Sequence, residues 1–160
     1  MRKGRHFRQT LLQVISILDI KTYFDTPPTY GKEKKLSIAY WCILIAAILP
    51  YPIVMLAKAK PGYDNRAPRE QLAQAEGYRK RANWAQFNAF EAFPPFAAAV
   101  IIAQLQLAPQ STIDALAIAF ITFRTLHASF YVLDKPTLRS IVWALGFTCV
   151  VALFFIAGTS

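Results

Sequence analysis

Polar and ionisable side chains recur at helical spacing inside one apolar stretch of this chain. At successive intervals of three, four and three residues stand Arg81, Trp84, Asn88 and Glu91. On a helix these four residues share one stripe, and the stretch that carries them continues to about Leu107 with enough apolar residues to cross a bilayer. A carboxylate within such a segment costs about 2.5–3.5 kcal/mol on insertion scales, so Glu91 marks a candidate functional site.

Two consecutive prolines follow this carboxylate. Pro94 and Pro95 have no N–H to donate to the carbonyls four residues back, those of Phe90 and Glu91. We therefore expect the helix to bend here and to leave two carbonyls without backbone partners beside the carboxylate. Such a polar pocket in an apolar wall suits ligand binding. The alternative is that Glu91 is a structural charge neutralised by a neighbouring helix.

A second polar stripe repeats the same intervals further along the chain, and consists of Arg124, His127, Tyr131 and Asp134. Arg124 is the obvious partner for Glu91, because opposite charges about 4 Å apart gain about 4 kcal/mol at an effective dielectric near 20. That gain offsets much of the insertion cost, but it is equally compatible with a purely structural pair. His127 alone fits hydrogen-bonded packing as well as it fits a functional role.

The apolar residues are gathered into blocks that predict four membrane spans. Of the 160 residues, 55% are hydrophobic and only 17% are charged, against about 25% charged in a typical soluble domain. We therefore expect an all-α integral membrane protein, a four-transmembrane-helix bundle subunit. The spans are predicted at Leu36–Ala57, from near Arg81 to about Leu107, at Ile113–Val132 and at Leu138–Ala157. Pro50 and Pro52 should bend the far end of the first span, and Pro68 should open a short helix in loop 58–80.

The net charge of +9 does not indicate a nucleic-acid-binding protein. Most basic residues lie outside the spans, where lipid head groups explain them, and no nucleic-acid-binding motif accompanies them. They divide equally between the two membrane faces, so charge alone does not fix the orientation.

Residues 1–35 form a basic N-terminal extension, expected at the membrane surface or loosely ordered. Cys42 and Cys149 lie in apolar blocks and are interpreted as small buried hydrophobes, and no metal-binding motif is present.

Taken together, these motifs resemble the MAPEG family, the membrane-associated proteins of eicosanoid and glutathione metabolism. The second span carries Arg81-x6-Asn88-x2-Glu91-x2-Pro94. The third carries Arg124-x2-His127-x3-Tyr131, followed by Pro136-x2-Arg139-Ser140, which is similar to the prostaglandin E synthase branch. The segment Asp64-Asn65-Arg66-x-Pro68-Arg69 and the run 134–146 look like poorly characterised bacterial members. The resemblance covers about residues 36–157.

The resemblance implies a homotrimer in which glutathione lies between neighbouring subunits. Carried over, the glutathione-binding residues are Arg81, Asn88, Glu91, Arg124 and Tyr131, and Arg139 stabilises the thiolate. This chemistry is consistent, because arginines suit the two carboxylates of glutathione and a carboxylate suits its ammonium group. A cation beside a thiol also lowers the thiol pKa and so creates the nucleophile. The implied function is a glutathione-dependent transferase or peroxidase of hydrophobic electrophiles, in the lipids of a bacterial inner membrane, with the first and third loops cytosolic.

One departure from the family pattern keeps a second function open. Trp84 and Phe87 stand where active members commonly place an additional arginine, and its absence removes a carboxylate contact. This favours a non-catalytic trimeric membrane protein that keeps the polar stripe for assembly or lipid binding, whereas Arg139 favours the enzyme. A proton- or solute-handling bundle that uses Glu91 and His127 is disfavoured, because the four short spans contain no inverted repeat.

Overall fold

The computed structural model describes residues 36–160, and this part of the chain is helical with no strands. Its helices are α1 (Ile38–Ile48), α2 (Pro50–Lys58), α3 (Pro68–Ala73), α4 (Gly77–Leu105), α5 (Gln110–Val132) and α6 (Pro136–Gly158). Within residues 36–160, four segments are long and apolar enough to span a membrane: Ile38–Lys58, Gly77–Leu105, Gln110–Val132 and Pro136–Gly158. The predicted all-α, four-span membrane fold is confirmed. The predicted N-terminal extension, residues 1–35, lies outside the described residues.

Prolines mark the boundaries of two helices near the first span, while the predicted bend at Pro50 and Pro52 stays a prediction. The span is interrupted at Leu49, directly before Pro50, which is the first residue of α2. Because Pro50 has no N–H, the carbonyl of Ala46 loses its usual helical donor at this point. Pro68 likewise begins the short helix α3, where its fixed φ suits a first helical position.

The two prolines of α4 act differently. This helix continues without interruption for 29 residues and contains both Pro94 and Pro95. The carbonyls of Phe90 and Glu91 nevertheless lack backbone donors at the i+4 position. The prolines therefore deprive two carbonyls in the middle of the span of their usual helical donors without ending the helix.

The helix α4 lies at the centre of the bundle and packs against α1, α2, α5 and α6. Close approach is possible because its buried face consists largely of small residues, namely Ala82, Ala85, Ala89, Ala99 and Ala103. The large core side chains meet in the half of the bundle that contains the start of α1 and the end of α4, where the rings of Phe96 and Phe120 stack with centroids 3.8 Å apart. Cys42 and Cys149 are buried, as predicted.

Side chains from neighbouring helices fix the start of α1. Asp114 of α5 accepts hydrogen bonds from the backbone N–H of Ala39 (2.8 Å) and from the amide of Gln110 (2.9 Å). A carboxylate at this position satisfies an otherwise unpaired donor and lies favourably near the positive end of the α1 dipole. The amide of Gln104 also donates to the Ser37 hydroxyl at 3.0 Å.

At the opposite membrane face, the first residues of α4 hold the end of α2. Arg79 Nε donates to the carbonyl of Ala57 at 2.9 Å, and the Tyr78 hydroxyl donates to the carbonyl of Ala59 at 3.3 Å. A cation at a helix C-terminus satisfies its last carbonyls and suits its dipole. These bonds set the depth of α4 relative to the first span, and thereby the depth of the polar stripe.

The loop before α3 is closed by a local charge contact. Arg66 donates its backbone N–H to Asp64 at 2.9 Å, and its guanidinium forms an ion pair with the same carboxylate at 3.0 Å. The side-chain hydrogen bond and then the backbone hydrogen bond from Arg66 hold the pKa of Asp64 below its usual value. The Asp64–Arg66 motif therefore shapes a turn at the membrane surface.

Candidate functional site

The second and third spans are joined through a buried guanidinium. Arg124 is only 4% exposed, and its Nη2 donates to the backbone carbonyl of Asn88 at 2.9 Å and to the Asn88 side-chain oxygen at 2.6 Å. The amide nitrogen of Asn88 lies 3.4 Å from Glu91 Oε2. A buried guanidinium needs oxygen acceptors, and Asn88 supplies two from one residue. The result is a polar relay that runs from Arg124 through Asn88 to Glu91.

The predicted ion pair between Glu91 and Arg124 is wrong. Within residues 36–160, the charged pairs closer than 4 Å are Arg66–Asp64 and Arg81–Asp134. Asn88 lies nearly one helical turn before Glu91 and takes the place of the carboxylate at Arg124. Glu91 is exposed on the surface of the helical bundle, where its charge is available to a ligand.

An aromatic and cationic cluster adjoins this relay. The guanidinium carbon of Arg139 lies 4.5 Å from the ring centroid of Tyr131, within the range of a cation–π contact. The rings of His127 and Trp84 meet the same tyrosine edge-on, at 5.5 and 6.5 Å. Lys80 lies over Trp84 at 5.0 Å. Tyr131 therefore positions Arg139 at the start of α6 beside the polar stripe of α4.

His127 behaves chiefly as a packed side chain. It is 3% exposed, and its Nδ1 has no hydrogen-bond partner among the described residues. Its ring packs edge-on against Tyr131, which lies one turn later on α5. The described part of the chain contains no cluster of three or more His, Cys, Asp or Glu side chains suited to a metal ion.

Arg81 is engaged elsewhere. Its Nε donates to the carbonyl of Val132 at 3.1 Å, and its guanidinium lies 3.5 Å from the carboxylate of Asp134. Val132 ends α5, and Asp134 follows with a φ of +59°, in a turn closed by a hydrogen bond from the Lys135 N–H to the Phe130 carbonyl. Arg81 thus stabilises a helix C-terminus, where a cation is favourable.

Two adjoining cavities form what we call the α4 groove. The first, of about 230 Å³, has a polar end made by Asn88, Glu91 and Arg124, while its apolar wall includes Phe120, Trp143 and Phe147. The second, of about 420 Å³, is open to the outside and is lined by Trp84, Phe87, Asn88, Glu91 and Tyr131. The cavities share Asn88 and Glu91, so a ligand with polar and apolar parts is able to lie across both.

The predicted site residues are only partly brought together. Asn88, Glu91, Arg124 and Tyr131 line the groove, and Arg139 reaches it through Tyr131, whereas Arg81 lines neither cavity. Their roles in binding and catalysis stay predictions.

The apolar wall of the groove was not predicted from the sequence, although Trp143 and Phe147 stand four residues apart on α6, and such a pair shares a helix face. Their rings stack with centroids 5.6 Å apart.

The geometry agrees with what the chain resembles. The model of the MAPEG family matches residues 38–159, which is most of the chain and includes the whole α4 groove. The chain belongs to the MAPEG family. No curated protein and no solved structure matches it. As a MAPEG protein it is an integral, multi-pass membrane protein, and its polar relay lies within the membrane-spanning part of the chain.

Proposed function

We propose that this MAPEG protein is a membrane-bound, glutathione-dependent transferase or peroxidase of hydrophobic electrophiles. It works as a homotrimer in a bacterial inner membrane, with glutathione bound between subunits. The observation that carries the proposal is the Arg124–Asn88–Glu91 relay, because it places an exposed carboxylate beside a fixed buried cation in a groove with an apolar end. The groove opens on the outside of the subunit, so a neighbouring subunit is the natural cover for it.

The groove offers complementary groups for each part of glutathione. Glu91 suits the ammonium group, since its own carboxylate is not paired with Arg124. The permanent positive charges of Arg124 and Arg139 favour the carboxylates and the thiolate, because a guanidinium is not deprotonated in proteins. Tyr131 lines the open cavity, and its hydroxyl is suited to hydrogen bonding with the peptide.

In the reaction, we assign Arg139 the role of stabilising the glutathione sulfur as a thiolate. Its positive charge lowers the pKa of the bound thiol, whose proton leaves to solvent. The thiolate electron pair then forms a bond to the electrophilic carbon while the leaving group departs with its electrons. With a hydroperoxide, the thiolate attacks the O–O bond to give a sulfenate and an alcohol. The sulfenate takes up a proton from solvent, and a second glutathione thiol reduces the resulting sulfenic acid to a disulfide with release of water. Trp143 and Phe147 provide the surface on which the apolar electrophile packs.

The thiolate itself provides the test. Purified protein in detergent, with saturating glutathione at neutral pH, should absorb in the ultraviolet as a thiolate. Arg139→Leu should lose most of this absorbance, while Arg139→Lys should keep part of it because the cation remains. Lys135→Leu is the matched control, since it removes an exposed cation four residues earlier without touching Tyr131. The proposal fails if the parent protein forms no thiolate, or if Arg139→Leu forms as much as the parent.

Two contacts support a second candidate, a non-catalytic trimeric membrane protein. Arg81 is committed to the end of α5, and Trp84 lies under Lys80 where active members commonly carry an arginine. In that case the polar relay serves assembly or lipid binding. A titration that detects no glutathione binding by a stable trimer would favour this candidate over the enzyme.

A further inference from the structure

A separate cavity lies on another face of α4, between α2, α3 and α4. It has a volume of about 550 Å³. Its apolar lining includes Tyr51, Val54 and Phe90, and its polar lining includes Lys58, Arg69 and Asn83. Among the described residues, Phe87 is the one that lines both this cavity and the α4 groove, and none of those assigned above to glutathione lines this cavity.

The rim of this cavity is positively charged. Lys58 is the last residue of α2 and so lies where the first span reaches the membrane surface, and Arg69 is exposed on α3. None of the described residues that line the cavity is acidic. Paired cations at this depth attract anionic lipid head groups, whose phosphates lie at the same level.

Below the rim lies a buried amide without a partner. Asn83 is 8% exposed, and its side-chain oxygen accepts no hydrogen bond from the described residues. Buried polar atoms nearly always have hydrogen-bond partners, so this acceptor calls for a donor. Arg79 donates a hydrogen bond to the carbonyl of Ala57, so it lies at about the level of the neighbouring Lys58. Asn83 lies one helical turn, about 6 Å, further along α4. The amide therefore lies deeper in the membrane than the cations.

The part of the cavity that lies furthest from the membrane surface is aromatic and aliphatic. The rings of Tyr51 and Phe90 meet edge-on, with centroids 6.0 Å apart and planes at 85°. With Val54 they form a wall suited to an acyl chain. The order from the surface inward is therefore two cations, one hydrogen-bond acceptor and an apolar wall.

We propose that this cavity binds an anionic lysophospholipid. Such a lipid presents the same groups in the same order: a phosphate, then the free hydroxyl of the glycerol backbone, then a single acyl chain. The phosphate lies between Lys58 and Arg69, and the hydroxyl donates to Asn83 Oδ1. A diacyl lipid lacks that backbone hydroxyl, and a zwitterionic lipid gains less from the cationic rim. This site is independent of glutathione and of the chemistry in the α4 groove.

The test is lipid binding to the full-length protein in detergent, measured by native mass spectrometry. The probes are 1-oleoyl lysophosphatidic acid, its 2-deoxy analogue without the hydroxyl, and 1-oleoyl lysophosphatidylcholine. The parent should prefer the first over both others by at least about fivefold. Lys58→Gln with Arg69→Gln should weaken its binding at least about tenfold. The charge-matched control, Lys60→Gln with Lys135→Gln, should bind like the parent, because neither residue lines the cavity.

Two further variants locate the lipid. Asn83→Leu should weaken binding of lysophosphatidic acid while leaving the 2-deoxy analogue unchanged, which a merely misfolded protein would not do. Ala73→Trp should block both lipids, since Ala73 is exposed and lines the cavity, so the larger side chain fills it without disturbing the core. The proposal is overturned if the control pair loses as much affinity as the cavity pair. Equal binding of the three probes, or full binding by Ala73→Trp, also overturns it.

Discussion

The buried guanidinium of Arg124 directs one nitrogen at two oxygens of the same residue, the backbone carbonyl and the side-chain oxygen of Asn88. Because both acceptors are neutral, the positive charge of Arg124 is hydrogen-bonded but not neutralised. The nearest carboxylate, Glu91, contacts the other end of the same amide at 3.4 Å. Asn88 thus couples the two charges while holding them apart, and both keep their electrostatic influence on the groove.

Asn88→Ala should destabilise the subunit. It removes the 2.6 Å hydrogen bond and leaves Arg124 with one backbone acceptor, which should cost about 1–3 kcal/mol for an under-satisfied buried group. Thermal unfolding in detergent measures the loss. Gln106→Ala is the control, since it removes an exposed amide from the end of the same helix. Equal unfolding temperatures for the two variants would show that the Arg124–Asn88 contact contributes nothing.

Glu91→Gln should have little effect on folding. Its side chain has one long hydrogen bond and no ion pair among the described residues, so we expect a change below about 1 kcal/mol. Glutathione binding should fall at least tenfold, because the ammonium group loses its carboxylate. Parallel unfolding and calorimetric titrations separate the two effects. A large loss of stability would mean that Glu91 has a structural partner in the assembled protein.

The four spans were predictable because composition and helix length are local properties. Apolar runs such as Ile38–Lys58 must satisfy their backbone internally, and helices do so within the segment. The effect of a proline on helix continuity was less predictable. The first span is interrupted directly before Pro50, whereas α4 continues through Pro94 and Pro95, because packing on neighbouring helices is able to maintain a helix across a missing hydrogen bond. The bends predicted at these prolines stay predictions.

The partners within the site were less predictable. Helical spacing correctly places Asn88 and Glu91 near one stripe, but it does not decide which of them meets Arg124 on another helix. That choice depends on the rotation and depth of α4 relative to α5. Arg81 shows the same limit: it shares the stripe with Asn88, yet it lies near the membrane surface and contacts the end of α5.

Tyr131 should be replaceable by phenylalanine but not by leucine. Tyr131→Phe keeps the aromatic face beneath Arg139 and the edge contact with His127. Tyr131→Leu loses a cation–π contact of about 0.5–2 kcal/mol and leaves Arg139 unpositioned. The thiolate absorbance with glutathione should therefore survive in the first variant and fall in the second. The same loss in both would assign the effect to the hydroxyl rather than to the ring.

Arg81→Met should lower stability without lowering glutathione affinity. Loss of the hydrogen bond to the Val132 carbonyl should cost about 1–2 kcal/mol, because a charged donor leaves the end of α5. Asp134→Asn, the companion variant, should cost less than about 1 kcal/mol, since its carboxylate is 70% exposed. Unfolding curves and glutathione titrations of both variants test this. A tenfold loss of affinity in Arg81→Met alone would restore Arg81 to the binding site.

Phe87→Arg tests whether the missing arginine limits glutathione binding. Phe87 is 55% exposed and lines the groove beside Asn88 and Glu91, so an arginine there is able to reach a bound peptide without disturbing the core. One charge-assisted hydrogen bond to a carboxylate contributes about 1.5–3 kcal/mol, which corresponds to a gain in affinity of about 10- to 100-fold. Titration calorimetry with glutathione measures the gain. Phe87→Gln is the control, since it removes the ring and adds a polar group without charge. Equal glutathione affinities for the two variants would show that carboxylate recognition does not depend on this position. A lower glutathione affinity for Phe87→Arg than for the parent would indicate that the new cation pairs with Glu91 instead.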